Sequence, residues 1–388
     1  MFLQSNKEIN LKMKLKDKIF SENEINTNRQ WELDLARAVI IFCLALIHCT
    51  IECTSDEGLC SGIPYLFDTV IGGPFSAPMY MFVMGVGMAY TKKNTPQHLF
   101  KRGVTIFGLG YLLNICRFLI PYLIGYAITK DYAVYMEPLL YKVLCNDILT
   151  FAGLAMMIMA IFVKLKLSNI VMLVIATVMC AFGTFFNGVD VNSPLGNIFL
   201  GYLIGTEDAA GMVLSDFPIL NWMMFPVCGY VFGHVLKYVK NKKLFYLTVS
   251  LPAILIAIVY FTIGIYKEVG MFGEGQNCYY HMIFSDVLGS LALTIGMIGV
   301  YYFILQVLPE KIFYVAWVIS ENITTVYFIH WVLVSFVVNV FLYIARGTTE
   351  LEPWKVMILG SAISVVSIAI APYCRKCIER RKLNAKTT

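Results

Sequence analysis

An arginine and a histidine stand inside the first apolar segment of the chain, in Asp34-Leu35-Ala36-Arg37 and then His48, eleven residues after the arginine. Ionisable side chains at membrane depth are costly, and they tend to mark a site. Eleven helical residues turn the chain through about three full turns, so Arg37 and His48 share a face, with His48 roughly 16 Å further along the axis. Asp34, before Arg37, and Glu52, after His48, are spaced to fall near the same face. A polar track of Asp34, Arg37, His48 and Glu52 on one helix suits a group passed across a membrane, or an ion path.

The elements that must position this track are membrane spans. Of the 388 residues, 59% are hydrophobic and only 14% charged, against about 25% charged in soluble domains. A hydrocarbon core of about 30 Å needs roughly 20 helical residues, and about ten apolar runs qualify. They lie near 33–51, 66–90, 100–126, 147–163, 170–186, 217–239, 244–265, 282–305, 323–344 and 356–371. The runs are continuously apolar and lack the short alternation of a membrane barrel. The expected fold is therefore all-α: a polytopic membrane helical bundle of about ten transmembrane helices.

Lysine and arginine are retained on the cytoplasmic side during insertion. With the N-terminus inside, most of the 30 Lys and Arg fall on that side, and Arg117, Lys130, Lys142, Lys267, Arg346 and Lys355 fall opposite. Both termini are then cytoplasmic, with a basic N-terminal tail over 1–30, a transmembrane domain over 31–373 and a basic C-terminal tail over 374–388. The lysine-rich start, Lys12-Met13-Lys14-Leu15-Lys16, is a disordered tail or a rest for anionic lipid. No signal peptide is apparent. The net charge of +5 follows from loop bias and needs no nucleic-acid partner. The longest outer loop, 187–216, holds a short apolar stretch, 195–204, suited to an interfacial or re-entrant helix that covers an outward-facing site.

Most of the eleven cysteines sit in apolar runs, where cysteine behaves as a small hydrophobe. Cys53 and Cys60 share an outer loop and are either a disulfide or two free thiols. Cys374 and Cys377 form a single CxxC without further ligands, so no metal site is expected. Among the histidines, His98 and His234 read as surface residues beside basic loops. His281 lies near the outer end of the eighth run, five residues before Asp286. His48 and His330 fall inside apolar runs, where the alternatives are a functional role and a helix-to-helix hydrogen bond that only packs.

Several segments resemble the integral-membrane acyltransferase superfamily, which includes acyltransferase family 3 and the heparan-alpha-glucosaminide N-acetyltransferase-like proteins. Trp31-Glu32-Leu33-Asp34-Leu35-Ala36-Arg37, with ten residues and then His48, is similar to the first helix of that superfamily. Ala77-Pro78-Met79-Tyr80-Met81-Phe82-Val83-Met84-Gly85 resembles its second helix, and Phe100-Lys101-Arg102-Gly103 its basic turn into the third. Phe217-Pro218-Ile219-Leu220-Asn221-Trp222 with Gly229-Tyr230-Val231-Phe232-Gly233, and Asn322-Ile323-Thr324-Thr325-Val326-Tyr327-Phe328-Ile329-His330, resemble segments of the N-acetyltransferase-like branch. The likeness spans about residues 31 to 332. Ala38 stands where the family usually has Gly, and Asn221 replaces a Pro; neither change removes a chemical group.

The resemblance implies transfer of an acyl group, commonly acetyl from cytoplasmic acetyl-CoA or another acyl-CoA, to a hydroxyl or amine of an extracytoplasmic carbohydrate or cell-envelope acceptor, without a metal. Arg37, Lys101 and Arg102 would then meet the donor phosphates. His48 would act as general base on the acceptor or as a transient acyl carrier. Asp34 would fix Arg37, while Asn322, Tyr327 and His330 would line the cavity from the ninth helix. A multi-pass protein of the plasma (inner) membrane is expected. The rival is a transporter or flippase with an intramembrane Arg/His track, since Gly72-Gly73-Pro74 and Pro78 also suit the broken helices of carriers.

Overall fold

A computed structural model describes residues 15–92, 95–208, 215–266 and 279–387. Residues 12–14 of the lysine-rich start and Lys267 lie outside them. Eleven longer helices build the fold. They are α1 (Trp31–Cys53), α2 (Ala77–Tyr90), α3 (Pro96–Asn114), α4 (Ile148–Lys164), α5 (Asn169–Phe185), α6 (Met224–Lys237), α7 (Lys242–Tyr266), α8 (Phe284–Leu305), α9 (Glu310–Glu321), α10 (Ile323–Ser335) and α11 (Pro353–Thr387). Among the described residues no strand forms, only two isolated bridges, Phe20 with Val239 and Val189 with Thr206.

Nine helical stretches among the described residues are long and apolar enough to cross a membrane, so the protein is an integral multi-pass membrane protein. The tenth expected span is α5, apolar but 17 residues long. At 1.5 Å per residue it reaches about 25 Å, short of a full hydrocarbon core unless the bilayer thins around it. The other expected runs are helical where the sequence places them.

Three stretches continue the neighbouring α-helices as π-helix: Leu66–Ser76 before α2, Ile115–Leu119 after α3 and Phe336–Leu342 after α10. Widened turns of this kind are uncommon and cluster at functional sites. The first holds Gly72, Gly73 and Pro74, the second holds Arg117, and the third follows the segment containing His330 and Trp331.

Lipid gives helices no hydrophobic reason to associate, so close backbone approach matters more than in water. A Cβ at Gly85 of α2 would overlap the Pro226 carbonyl of α6, and one at Gly229 would overlap the Phe82 carbonyl. These two helices therefore cross in backbone contact, and α1 packs beside them with Ala36, Ile41, Ala45 and Cys49 fully buried. Buried Glu32 fastens α1 to α7 by accepting hydrogen bonds from Lys242 Nζ at 2.7 Å and Tyr246 Oη at 2.8 Å.

Two features depart from the expected tails. Helix α11 continues past residue 374 without a break, because the sequence after Tyr373 is rich in strong helix formers and has no glycine stop. Part of the N-terminal stretch is docked: Ser21 N and Ile25 N donate to the carbonyls of Tyr238 and Lys237. The 187–216 loop does form a short helix, Pro194–Leu200. Cys53 is buried, Cys60 is exposed, and both are free thiols, which corrects the disulfide alternative. Cys53 is the last residue of α1 and faces its packed interior, whereas Cys60 belongs to the exposed turn that follows.

Candidate functional site

One end of the bundle opens into a cavity of about 550 Å³, within the usual range for small-molecule sites of about 300–1,000 Å³. Its mouth carries Arg29, Arg37, Arg102 and Arg375, with Asp34 and Glu321 between them. Along α2 its wall runs from Thr91 back to Tyr80, about 16 Å of helix rise. Along α4 it extends to Leu149 near the opposite end of that helix. The cavity is thus polar and cationic at its mouth, and lined by Tyr80, Ile106, Leu149 and Met156 farther in.

Arg37 reaches the cavity past Gly87, where a Cβ would stand 3.1 Å from Nη2. Its Nη2 donates to Val83 O at 3.2 Å and its Nη1 to Ser320 Oγ at 3.4 Å. Asp34, expected to fix Arg37, lies 3.5 Å from Nη1 but is held more closely by others. It accepts from Arg29 Nη2 at 2.9 Å and from Ser320 Oγ at 2.6 Å. Glu321 bridges Arg29 Nη1 at 2.9 Å and Arg375 Nη1 at 3.2 Å. Burial pushes the Glu321 carboxyl up, but the two arginines outweigh it and leave it below its ordinary value. Guanidinium groups in such number suit bidentate phosphate recognition. Arg102 lines the cavity, while Lys101 is exposed and outside it.

Beyond the cavity lies a buried aromatic and imidazole cluster. The Tyr80 and Tyr327 rings are 6.4 Å apart, Tyr327 and His330 5.1 Å, and His330 and His48 5.5 Å with planes only 15° apart. Trp331 covers His48 at 3.9 Å. His330 Nδ1 lies 3.2 Å from Val326 O, which assigns its proton to Nδ1 and leaves Nε2 as a free acceptor. The Nε2 atoms of His48 and His330 are both buried without a hydrogen-bond partner. Buried polar atoms are nearly always paired, and here two imidazole nitrogens on facing rings have no partner within the protein.

Several residues of this cluster escape the sequence reading, among them Trp331, Arg117 and Asp147. Arg117, counted there on the side opposite the termini, is a buried cation of the π-helical turn after α3, 2% exposed. It pairs with Asp147 at 3.3 Å, donates to Asn114 Oδ1 at 2.8 Å from Nη2, and lies 4.4 Å from the Trp331 ring centre. Asp147 accepts from Tyr327 Oη at 3.1 Å, and Tyr327 Oη accepts from Trp331 Nε1 at 2.9 Å. The hydroxyl proton of Tyr327 is therefore committed to Asp147, while its oxygen holds Trp331 against His48. Asn322, at the junction of α9 and α10, does not line the cavity although its neighbours Glu321 and Ile323 do; its Nδ2 lies on Val318 O at 2.7 Å and its Oδ1 is buried and unpaired. Glu52 is half-buried and within electrostatic reach of Lys142.

His281 has a different surrounding. Its Nε2 lies 2.8 Å from Ser215 Oγ and its Nδ1 3.1 Å from Glu207 Oε1, an order of groups found in serine hydrolases. Ser215 is only 1% exposed, and its Oγ already accepts from Thr206 N at 2.9 Å. These features make it a clasp between the 187–216 loop and the start of α8. Replacing His281 by Ala is expected to destabilise the protein by about 1–3 kcal/mol through its orphaned partners, measured by thermal unfolding in detergent; an unchanged transition would refute the clasp. His98 is exposed, and His234 is half-buried against the Tyr230 ring at 4.6 Å. Among the described residues no group of His, Cys, Asp and Glu could hold a metal ion.

A bundle of apolar helices with an arginine-rich cavity at one end and, beyond it, two facing histidines makes up a multi-pass membrane protein. The chain belongs to the family of the heparan-alpha-glucosaminide N-acetyltransferase catalytic domain, which matches residues 29–264, and it is an acetyltransferase-type membrane enzyme. The matched segment contains Arg37, Tyr80, Arg102, Arg117, Asp147 and His48, whereas Tyr327 and His330 lie beyond it. No curated protein and no solved structure matches the chain.

Proposed function

We propose that the enzyme takes acetyl, or a related acyl group, from cytoplasmic acyl-CoA and passes it to a hydroxyl or amine of a carbohydrate or cell-envelope acceptor on the far side of the plasma (inner) membrane. The observation that carries this reading is the cavity: four arginines at its mouth suit the phosphates of coenzyme A, and its wall runs about 16 Å inward toward the histidine cluster. The bias of Lys and Arg assigns the mouth, with both termini, to the cytoplasm. Arg29, Arg37, Arg102 and Arg375 would neutralise the donor phosphates, and the apolar inner wall would take the pantetheine arm. Lys101 would contribute only from outside the cavity.

His48 would take a proton from the acceptor as general base, or carry the acyl group itself, a reading supported by its buried, unpaired Nε2. His330 faces it and would orient the acceptor or donor end. Trp331, locked by Tyr327, Asp147 and Arg117, holds the His48 ring in place. The family description names a glucosaminide, which makes glucosamine a rational acceptor probe.

Acetyl-CoA should bind saturably to the detergent-purified protein, and Arg37→Ala should weaken that binding by about tenfold, the worth of one charge-assisted contact of about 1.4 kcal/mol. Equilibrium titration of both proteins checks this. An affinity unchanged in the variant would remove the phosphate contact, and absence of binding in the folded wild type would remove the donor.

A further inference from the structure

Tyr80 is the residue that joins the cavity to the buried cluster. It lines the cavity, its ring adjoins Tyr327, and it lies within electrostatic reach of Arg37 and Arg102 on one side and Asp147 on the other. The residue is 9% exposed. Among the described residues its hydroxyl makes no hydrogen bond, and it is not one of the fully buried unpaired atoms, so it is open to the cavity that Tyr80 lines. Tyr327 is the contrast: its hydroxyl is committed to Asp147 and Trp331.

We infer that Tyr80 is a catalytic residue whose hydroxyl donates to the thioester carbonyl oxygen of the acyl donor. The inference rests on the acyl-CoA reading above and adds the group that receives the reacting end. A donor held by its phosphates at the arginine mouth and extended along the wall presents its thioester near Tyr80. The acceptor oxygen or nitrogen gives its proton to His48 Nε2 and bonds to the carbonyl carbon. The carbonyl π pair moves onto oxygen, where the Tyr80 hydroxyl stabilises the developing oxyanion. Collapse restores the carbonyl and breaks the carbon–sulfur bond. The departing thiolate then takes the proton from the His48 imidazolium, leaving acylated acceptor and free CoA. If His48 carries the acyl group instead, the same hydroxyl serves both tetrahedral intermediates.

Tyr80→Phe keeps the ring that packs on Tyr327 and removes only the donor. The test is infrared difference spectroscopy of carbonyl-labelled acetyl-CoA bound to the purified full-length protein, with titrations of acetyl-CoA and free CoA on both proteins. The wild type should show the bound thioester carbonyl band shifted to lower frequency. Tyr80→Phe should return the band to its solution position, with CoA affinity unchanged within about twofold. With glucosamine as acceptor, the variant should lose about a hundred- to a thousandfold in kcat, the typical effect of one oxyanion donor, with little change in KM for the donor. A band still shifted in the variant, or unshifted in the wild type, would overturn the role of Tyr80. Failure of wild-type protein to bind acetyl-CoA at all would instead overturn the donor reading on which the inference stands.

Discussion

His48→Ala is expected to reduce acetyl transfer from acetyl-CoA to glucosamine by about a hundred- to ten-thousandfold, the usual contribution of a positioned general base, and to leave the bundle folded and membrane-inserted. The His48 side chain contributes packing between Trp331 and His330, but its Nε2 has no hydrogen-bond partner to lose. Its removal therefore orphans nothing through that nitrogen. Donor binding at the arginine mouth should survive, because Arg37 lies about 16 Å away along α1. Turnover with wild-type and variant protein in the same detergent, alongside gel filtration, provides the check. Turnover retained in a folded variant would remove His48 from the chemistry and return the histidine pair to a packing role.

Asp147→Ala carries the largest expected cost in stability, about 3–5 kcal/mol, because it leaves the Arg117 guanidinium buried without its carboxylate. It also frees Tyr327 from Asp147, and with it the ring of Trp331 that lies on His48. Activity should fall with stability for that reason. Replacing both members, Arg117→Met with Asp147→Leu, should recover most of the stability, since apolar side chains replace a buried ion pair at little net cost. The double variant should still lose activity, because the Tyr327 hydroxyl then has no carboxylate to donate to and holds Trp331 less firmly over His48. Thermal unfolding of the three variants and wild type measures the first effect, and turnover the second. A double variant as unstable as Asp147→Ala would mean that the pair is not what couples α3 to α4 here.

The apolar runs were legible because bilayer thickness sets their length, and every predicted run is helical. Arg37 and His48 were legible because both types are expensive in a span and their spacing is helical. Arg117 obeys the same rule, lying within the predicted 100–126 run, but the side-by-side charge count places it opposite the termini and gives no sign of its partner, Asp147. Asp147 was read as the start of a span; its role depends on Arg117 and Tyr327, which are distant in sequence and brought together only by packing. Lys101 and Arg102 are neighbours in sequence, yet consecutive helical residues point about 100° apart, so only Arg102 faces the cavity. Arg29 and Arg375 were assigned to tails because their order comes from shared Glu321, a tertiary contact with no local signature. The π-helical turns follow no pattern that hydropathy reveals, although Gly72-Gly73-Pro74 marked the site of one.

The most direct test of transfer across the bilayer uses proteoliposomes with radiolabelled acetyl-CoA outside, glucosamine trapped inside, and protein oriented with the arginine mouth outward. The account predicts acetylated glucosamine inside, free CoA remaining outside, and neither product with His48→Ala. Intact acetyl-CoA recovered inside would contradict it and identify a transporter, and product formed only with glucosamine on the donor side would contradict the division of the site between two faces.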